Sequence, residues 1–251
     1  MKVIRSFLIV FGGPIVLVSG VIASAVSAVR SISRMRLPGP FAVAGLVSFF
    51  VYARSVRPWH TTWGSLPGEL DQQLPGDESL NPRGRLVQHA IGIAAPAEAV
   101  WPWIAQIGQD RGGFYSYAWL ENLAGCEMAN AGHIHPDWQR REVGETVKLH
   151  PATGLEVSVF EPGRVLGLKD WGNFVVMPRG PESCRLIARG RIRRGFSGVF
   201  YTLLVEIPHF VMERKMLLEI KRLAERDHQP GTRPATTSPA SQPGAQPPDG
   251  G

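Results

Sequence analysis

Three groups of residues carry side chains able to do chemistry. His133 and His135, with Glu127, Asp137 and His150 close by in the chain, offer imidazole and carboxylate groups of the kind that bind zinc. Alternate spacing puts both imidazoles on one face only if the segment is extended, and a third ligand is still needed. A polar loop of hydrogen-bonded histidines is the simpler expectation, so no metal or other cofactor is assigned. His209 and Glu213 lie four residues apart, sharing a face if helical, a spacing that suits proton transfer. Pro208 beside them frees backbone groups that His209 could serve instead. Phe114, Tyr115, Tyr117 and Trp119 form an aromatic cluster, with Glu121 and Asn122 just after it. Aromatic walls with a few polar handles suit an apolar ligand, and they equally suit an ordinary core. The hydroxyls of Tyr115 and Tyr117 could orient a carbonyl or a phosphate.

Other chemistries lack their residues. Gly108 to Gly113 is glycine-rich but has neither the Lys-Ser/Thr of a phosphate-binding loop nor its strand-turn-helix setting. No Gly-x-Ser-x-Gly elbow offers a nucleophile. Cys126 and Cys184 stand far apart without Cys-x-x-Cys spacing, which implies neither a zinc knuckle nor a disulfide framework. The net charge of +6 suits an anionic membrane surface. The basic residues are spread along the chain and not massed on one helix, so nucleic acid is not an expected partner.

The elements that must position these groups begin beyond an apolar N-terminal region. Phe7 to Val29 carries no charge, long enough to cross the roughly 30 Å hydrocarbon core as a helix. Arg30, Arg34 and Arg36 follow, then a second uncharged stretch, Leu37 to Ala53, with Tyr52, Trp59 and Trp63 near its end, where aromatic rings favour the membrane interface. The expectation is a membrane anchor over 1–56, with transmembrane helices at 7–29 and 37–53. A cleaved signal peptide is the alternative for the first segment. Basic residues on the two outer flanks slightly outweigh those between the spans, which favours a cell-membrane protein with its folded domain in the cytoplasm.

Residues 57–85 are rich in Pro and Gly but contain Trp59, Trp63 and Leu66, and are expected to be a connector lying against the bilayer or the domain. The folded domain is expected over 86–226. Val87 to Ala94 alternates as a half-buried strand. Pro96 opens a short helix with Val100, Trp103, Ile104 and Ile107 at helical spacing, and the aromatic cluster begins a second short helix running through Leu123. Five β-prone runs follow, Thr146 to Leu149, Leu155 to Phe160, Val165 to Leu168, Phe174 to Met177 and Arg185 to Ile192, separated by Pro and Gly as in an antiparallel meander. A long helix from near Ser197 to Arg226, interrupted at Pro208, ends the domain. Met212, Met216, Leu217, Ile220, Leu223 and Ala224 form its apolar stripe. The result is an α+β domain with helices on one face of a sheet. Residues 227–251 lack apolar side chains and are expected to be a disordered tail.

The order of these elements, and the run Trp101-Pro102-Trp103-Ile104-Ala105-Gln106-Ile107-Gly108-Gln109-Asp110-Arg111-Gly112-Gly113-Phe114-Tyr115, resemble the SRPBCC (START, birch-allergen-like, polyketide cyclase-like) superfamily. Arg57-Pro58-Trp59-His60, Ile134-His135-Pro136-Asp137-Trp138 and Pro208-His209-Phe210-Val211-Met212 look like an uncharacterised bacterial subgroup in which such a domain follows a hydrophobic N-terminus. The resemblance covers about Arg57 to Arg226. It implies a helix-grip fold, an antiparallel sheet wrapped on a long C-terminal helix, with a cavity between them for a hydrophobic small molecule such as a lipid or polyketide. Trp103, Phe114, Tyr115, Tyr117, Trp119, Glu121, His209, Met212 and Met216 are the residues expected to contact it. Binding is expected over catalysis. The alternatives are a cyclase, dehydratase or hydrolase using His209, Glu213 and His135, and a protein that docks a partner. Oligomeric state is not implied.

Overall fold

The computed structural model describes residues 40–228. Six strands form one antiparallel sheet: β1 (Arg85–Ile93), β2 (Thr146–His150), β3 (Thr153–Glu161), β4 (Val165–Leu168), β5 (Gly172–Gly180) and β6 (Ser183–Ile192). Their order is β1-β6-β5-β4-β3-β2, so five strands meander in sequence and β1 closes beside the last. Short turns make the meander possible; Gly163, at φ 79°, turns the chain between β3 and β4. Each expected strand is present, extended by a residue or more at one or both ends except β4.

The sheet is covered on both faces. On one lie α3 (Ala97–Ala105), α4 (Ala118–Leu123) and α6 (Glu206–His228), the elements α1 (Pro40–Val51), α2 (Arg57–Thr61) and α5 (Phe196–Phe200) completing the helices. The apolar stripe of α6 is the expected one from Met216 onward: Met216, Leu217, Ile220, Leu223 and Ala224 are buried against Leu186, Ala188, Phe174 and Val176 of the sheet and Val100, Trp103 and Ile104 of α3. A fully buried Leu or Ile contributes about 1.5–3 kcal/mol, so this stripe is the main attachment of the helix. The domain is therefore α+β, an antiparallel sheet against a long C-terminal helix.

The opposite face is closed by residues 62–80, which lie against the domain. Leu74 packs on Ala90, Val165, Val175 and Ile187. Beside it is a charged latch. Arg185 grips both carboxylate oxygens of Glu69, at 2.9 and 2.7 Å. Arg189 donates to Gln88 and Asp77 across the sheet, both at 2.7 Å, and to the carbonyls of Glu69 and Gln72. Burial opposes the charge on Glu69, but Arg185 and the Leu66 N–H outweigh it and hold the carboxyl below its ordinary range. The strap approaches β1 closely: the Ala90 N–H donates to the Trp63 carbonyl at 3.0 Å. Gly64 follows at φ 74°, where a Cβ would stand 1.9 Å from the Ala90 carbonyl oxygen, so no other residue fits.

The terminal helix differs from expectation in where it is interrupted. The break is a π-helical turn over Tyr201–Val205, and Pro208 sits in the first turn of regular helix after it. A π turn bonds to the fifth residue back, as Glu206 N–H does to Tyr201, and so absorbs the irregularity before the proline. The same device occurs over Tyr52–Val56, between α1 and α2. The two helical segments meet there: Arg57 pairs bidentately with the buried Glu206, at 2.8 and 2.6 Å, and the Tyr52 hydroxyl donates to the same carboxylate at 3.5 Å.

The expected span at 7–29, the start of that at 37–53 and the tail beyond His228 lie outside the described residues. Within them the second stretch is helical over Pro40–Val51, and no helix among the described residues is long and apolar enough to cross a membrane.

Candidate functional site

Between the sheet and the N-terminal half of α6 lies a cavity of about 300 Å³. Its lining is largely apolar: Phe114, Leu120, Met128, Phe174, Met212 and Met216 are representative, contributed by the loops before and after α4, α4 itself, β5 and α6. Its carboxyl and imidazole groups are those of Glu121, Glu213 and His209, and the Ser116 hydroxyl in the lining donates to the Met212 carbonyl at 3.1 Å. A smaller cavity of about 170 Å³ lies on the other side of His209 and Glu213, bounded by Tyr201, Gly190 and Ile192, and shares Trp171 and Phe174 with the first.

The His209 and Glu213 side chains are held by partners that the helix alone does not supply. Glu213 Oε1 is 3.5 Å from His209 Nε2, and Oε2 is hydrogen-bonded to Nδ1 of His89 on β1. A carboxylate only accepts, so Nδ1 of His89 carries the proton. Burial works against the charge on Glu213, but the imidazoles of His209 and His89 prevail and keep its carboxyl below the usual range. The Tyr201 hydroxyl meets His209 Nδ1 at 2.5 Å. Burial raises the pKa of Tyr201, so the phenol keeps its proton, and the tautomer of His209 sets which of the two donates. Burial also pulls the His209 pKa down, with Glu213 opposing. A neutral ring that accepts at Nδ1 carries its proton at Nε2. That Nε2 is buried without a hydrogen-bond partner.

Glu121, on the opposite wall, is different. It is buried, its Oε2 has no partner, and burial alone pushes its pKa up to about 7. Near neutral pH it is half protonated, and its carboxylic acid can donate a hydrogen bond. The cavity thus holds two carboxyl groups driven in opposite directions, and two buried polar atoms, Glu121 Oε2 and His209 Nε2, that make no hydrogen bond.

The expected contact residues divide. Phe114, Glu121, His209, Met212 and Met216 line the cavity, as does Glu213. Trp103 and Tyr115 do not: both are fully buried in the core, ring against ring at 5.7 Å, and the Tyr115 hydroxyl accepts from Gln106 at 2.8 Å. Trp119 is 69% exposed on α4, and Tyr117 stands at the N-cap position of that helix, outside the lining. The cluster separates because Tyr115 takes φ 54°, reversing the chain between Phe114 and Ser116. Asn130 fixes the reversal, accepting from the Tyr115 N–H at 2.8 Å and donating to the Ser116 carbonyl at 2.9 Å. His135 stacks between His133 and Trp138, at 4.1 and 3.8 Å, apart from the cavity lining. Among the described residues no three His, Cys, Asp or Glu side chains are grouped to hold a metal.

Sequence reasoning missed His89, Tyr201 and Trp171. His89 carried a signal, as the one polar residue in the alternating set Val87, His89, Ile91 and Ile93. Trp171 carried none.

No family model matches the chain, and no curated protein does. Among solved structures it is similar to a Polyketide_cyc-like protein from Corynebacterium glutamicum, at 18% identity over 59% of this chain and 95% of the other, with a TM-score of 0.31. It is also similar to a conserved protein of unknown function from Enterococcus faecalis, at 15% identity over 63% of this chain and 80% of the other, with a TM-score of 0.27.

Proposed function

We propose that this protein is a membrane-anchored, SRPBCC-like helix-grip domain that binds a hydrophobic small molecule carrying an acceptor oxygen. The observation that carries the reading is the apolar cavity of about 300 Å³ with unpartnered polar atoms of Glu121 and His209 in its walls. An unfilled buried donor costs roughly 1–3 kcal/mol, and a ligand carbonyl, ester or ether oxygen would relieve it. The rest of the lining supplies burial and no charge. Met212, Met216 and Met128 add a soft wall that adapts to shape. The anchor is the uncharged N-terminal sequence, with the domain on the cytoplasmic side.

Native mass spectrometry of the full chain released from mild detergent tests this. A retained apolar ligand is expected in the wild type and absent from Met212→Trp, which fills the cavity. Equal adducts in both proteins, or none in the wild type after incubation with its own membrane lipid extract, would sink the proposal.

The opposed carboxyl groups favour a second reading, proton transfer on the bound molecule. Two acids in one apolar site with pKa values moved apart are the arrangement that lets one act as base and the other as acid. Glu213 would remove a proton from the carbon beside a carbonyl while Glu121 gives its proton to the oxygen, forming an enol that is reprotonated on carbon. Deuterium uptake from heavy water into the recovered ligand tests it; a ligand that gains none with wild type overturns it.

A further inference from the structure

We infer that the face formed by Phe196 to Val211 docks onto an anionic lipid bilayer. Gly195 to Val205 contains no charged residue, yet this stretch stands outward: Phe196 is 88% exposed, and Val199, Phe200, Leu203, Ile207 and Val211 are exposed with it. Such a row of large apolar side chains is costly in water and marks a contact surface. The one carboxylate in the row, Glu206, is turned inward and neutralised by Arg57.

Three features select a bilayer as the occupant. The first is charge: Arg194 leads into the stretch, and Arg54 and Arg85 lie on the segments joined to it, a basic rim that complements anionic headgroups, while Arg193 beside them is paired with Asp170. The second is continuity. Val43, Val47, Phe50 and Val51 of α1 are exposed in the same way, and α1 runs through its π turn into Arg57 and the pairing with Glu206. Two apolar surfaces from distant parts of the chain are thus fastened to each other, and a membrane covers both at once. The third is the split of the helix itself: Val205, Pro208 and Met212 line the cavity, whereas Leu203, Ile207 and Val211 lie on the outer side. Docking places a single helix between the cavity and the acyl chains.

The test uses the full chain with Cys126→Ser and Cys184→Ala, in vesicles of phosphatidylcholine and phosphatidylglycerol. An environment-sensitive fluorophore is attached through Phe196→Cys, Leu203→Cys or, as a control on a β3–β4 turn, Arg164→Cys. At positions 196 and 203 the emission shifts to the blue and is quenched at least twofold by nitroxide on the lipid acyl chains, while the control does neither. Pairing Phe196→Ser and Phe200→Ser removes the quenching at 203. Because no ligand enters the measurement, its outcome is independent of the cavity reading. Labels at 196 and 203 that stay unquenched by lipid overturn the inference. So does a blue shift that follows protein density and ignores lipid nitroxide, which would assign the face to another copy of the chain.

Discussion

Replacing Glu121 with Gln removes a titration whose size follows from its surroundings. Burial lifts the carboxyl from 4.5 to about 7. A pKa raised in the folded state favours the protonated form, so its contribution to stability is complete below the unfolded value of 4.5. It falls away as pH rises through 7. A shift of that size corresponds to about 3 kcal/mol between the two limits. The glutamine side chain has nearly the same shape and cannot ionise, so the difference between variant and wild type isolates this one group. Urea unfolding of the full chain in mild detergent, followed by tryptophan fluorescence at pH 5 and pH 8.5, reads it. The wild type loses about 2.5 kcal/mol relative to Glu121→Gln between those conditions, since pH 5 already lies above the unfolded value. A carboxyl carbon-13 titration places the midpoint near 7. If the stabilities of the two proteins run parallel across the whole range, the carboxyl is ionised or hydrated in the cavity. The claim that it donates a hydrogen bond to a ligand then fails with it.

Leu217→Ala, in the fully buried centre of the terminal helix, lowers the unfolding free energy by about 2–5 kcal/mol in the same assay. Glu206→Gln leaves Arg57 without its charge partner and costs about 3 kcal/mol; Arg57→Met combined with Glu206→Leu recovers part of that loss, as a double-mutant cycle shows. Gly64→Ala forces a Cβ onto the Ala90 carbonyl in a left-handed backbone and costs at least about 2 kcal/mol, visible as a lower melting temperature.

The parts of the fold that were legible in the sequence are those written in local periodicity and punctuation. Pro151, Pro162-Gly163 and Gly180-Pro181 bound the strands because turns need their backbone, and the stripe from Met216 to Ala224 is a helix stripe because it repeats at helical spacing. Helix faces also foretold the pairing of His209 with Glu213. What local pattern could not reveal is a contact made across the chain. His89 reaches Glu213 over 124 residues, and the strap over the sheet is held by Arg185 and Arg189 from the far end of the domain. The aromatic cluster misled for a sharper reason. In the sequence its residues read as one surface, but a single left-handed residue, Tyr115, sends its neighbours to different places. That turn also brings the Tyr115 hydroxyl where a Cβ on Gly112 would lie, at 2.5 Å, which is why the loop before it is rich in glycine. The split of the cluster was encoded by Asn130, whose amide has no periodic signature.

The charged latch on the outer face sets how this sequence can drift. Arg185, Arg189, Glu69, Asp77 and Gln88 answer one another, so losing any one strands a buried charge or amide, and change there must come in coordinated pairs. The apolar part of the cavity wall is under no such bond. Met212, Leu120 and Met128 can each be exchanged for another apolar side chain alone, altering volume and shape while every partner keeps its contacts. The latch is therefore slow to vary and the apolar cavity lining free, which lets descendants of this frame reshape the cavity without relearning how to fold.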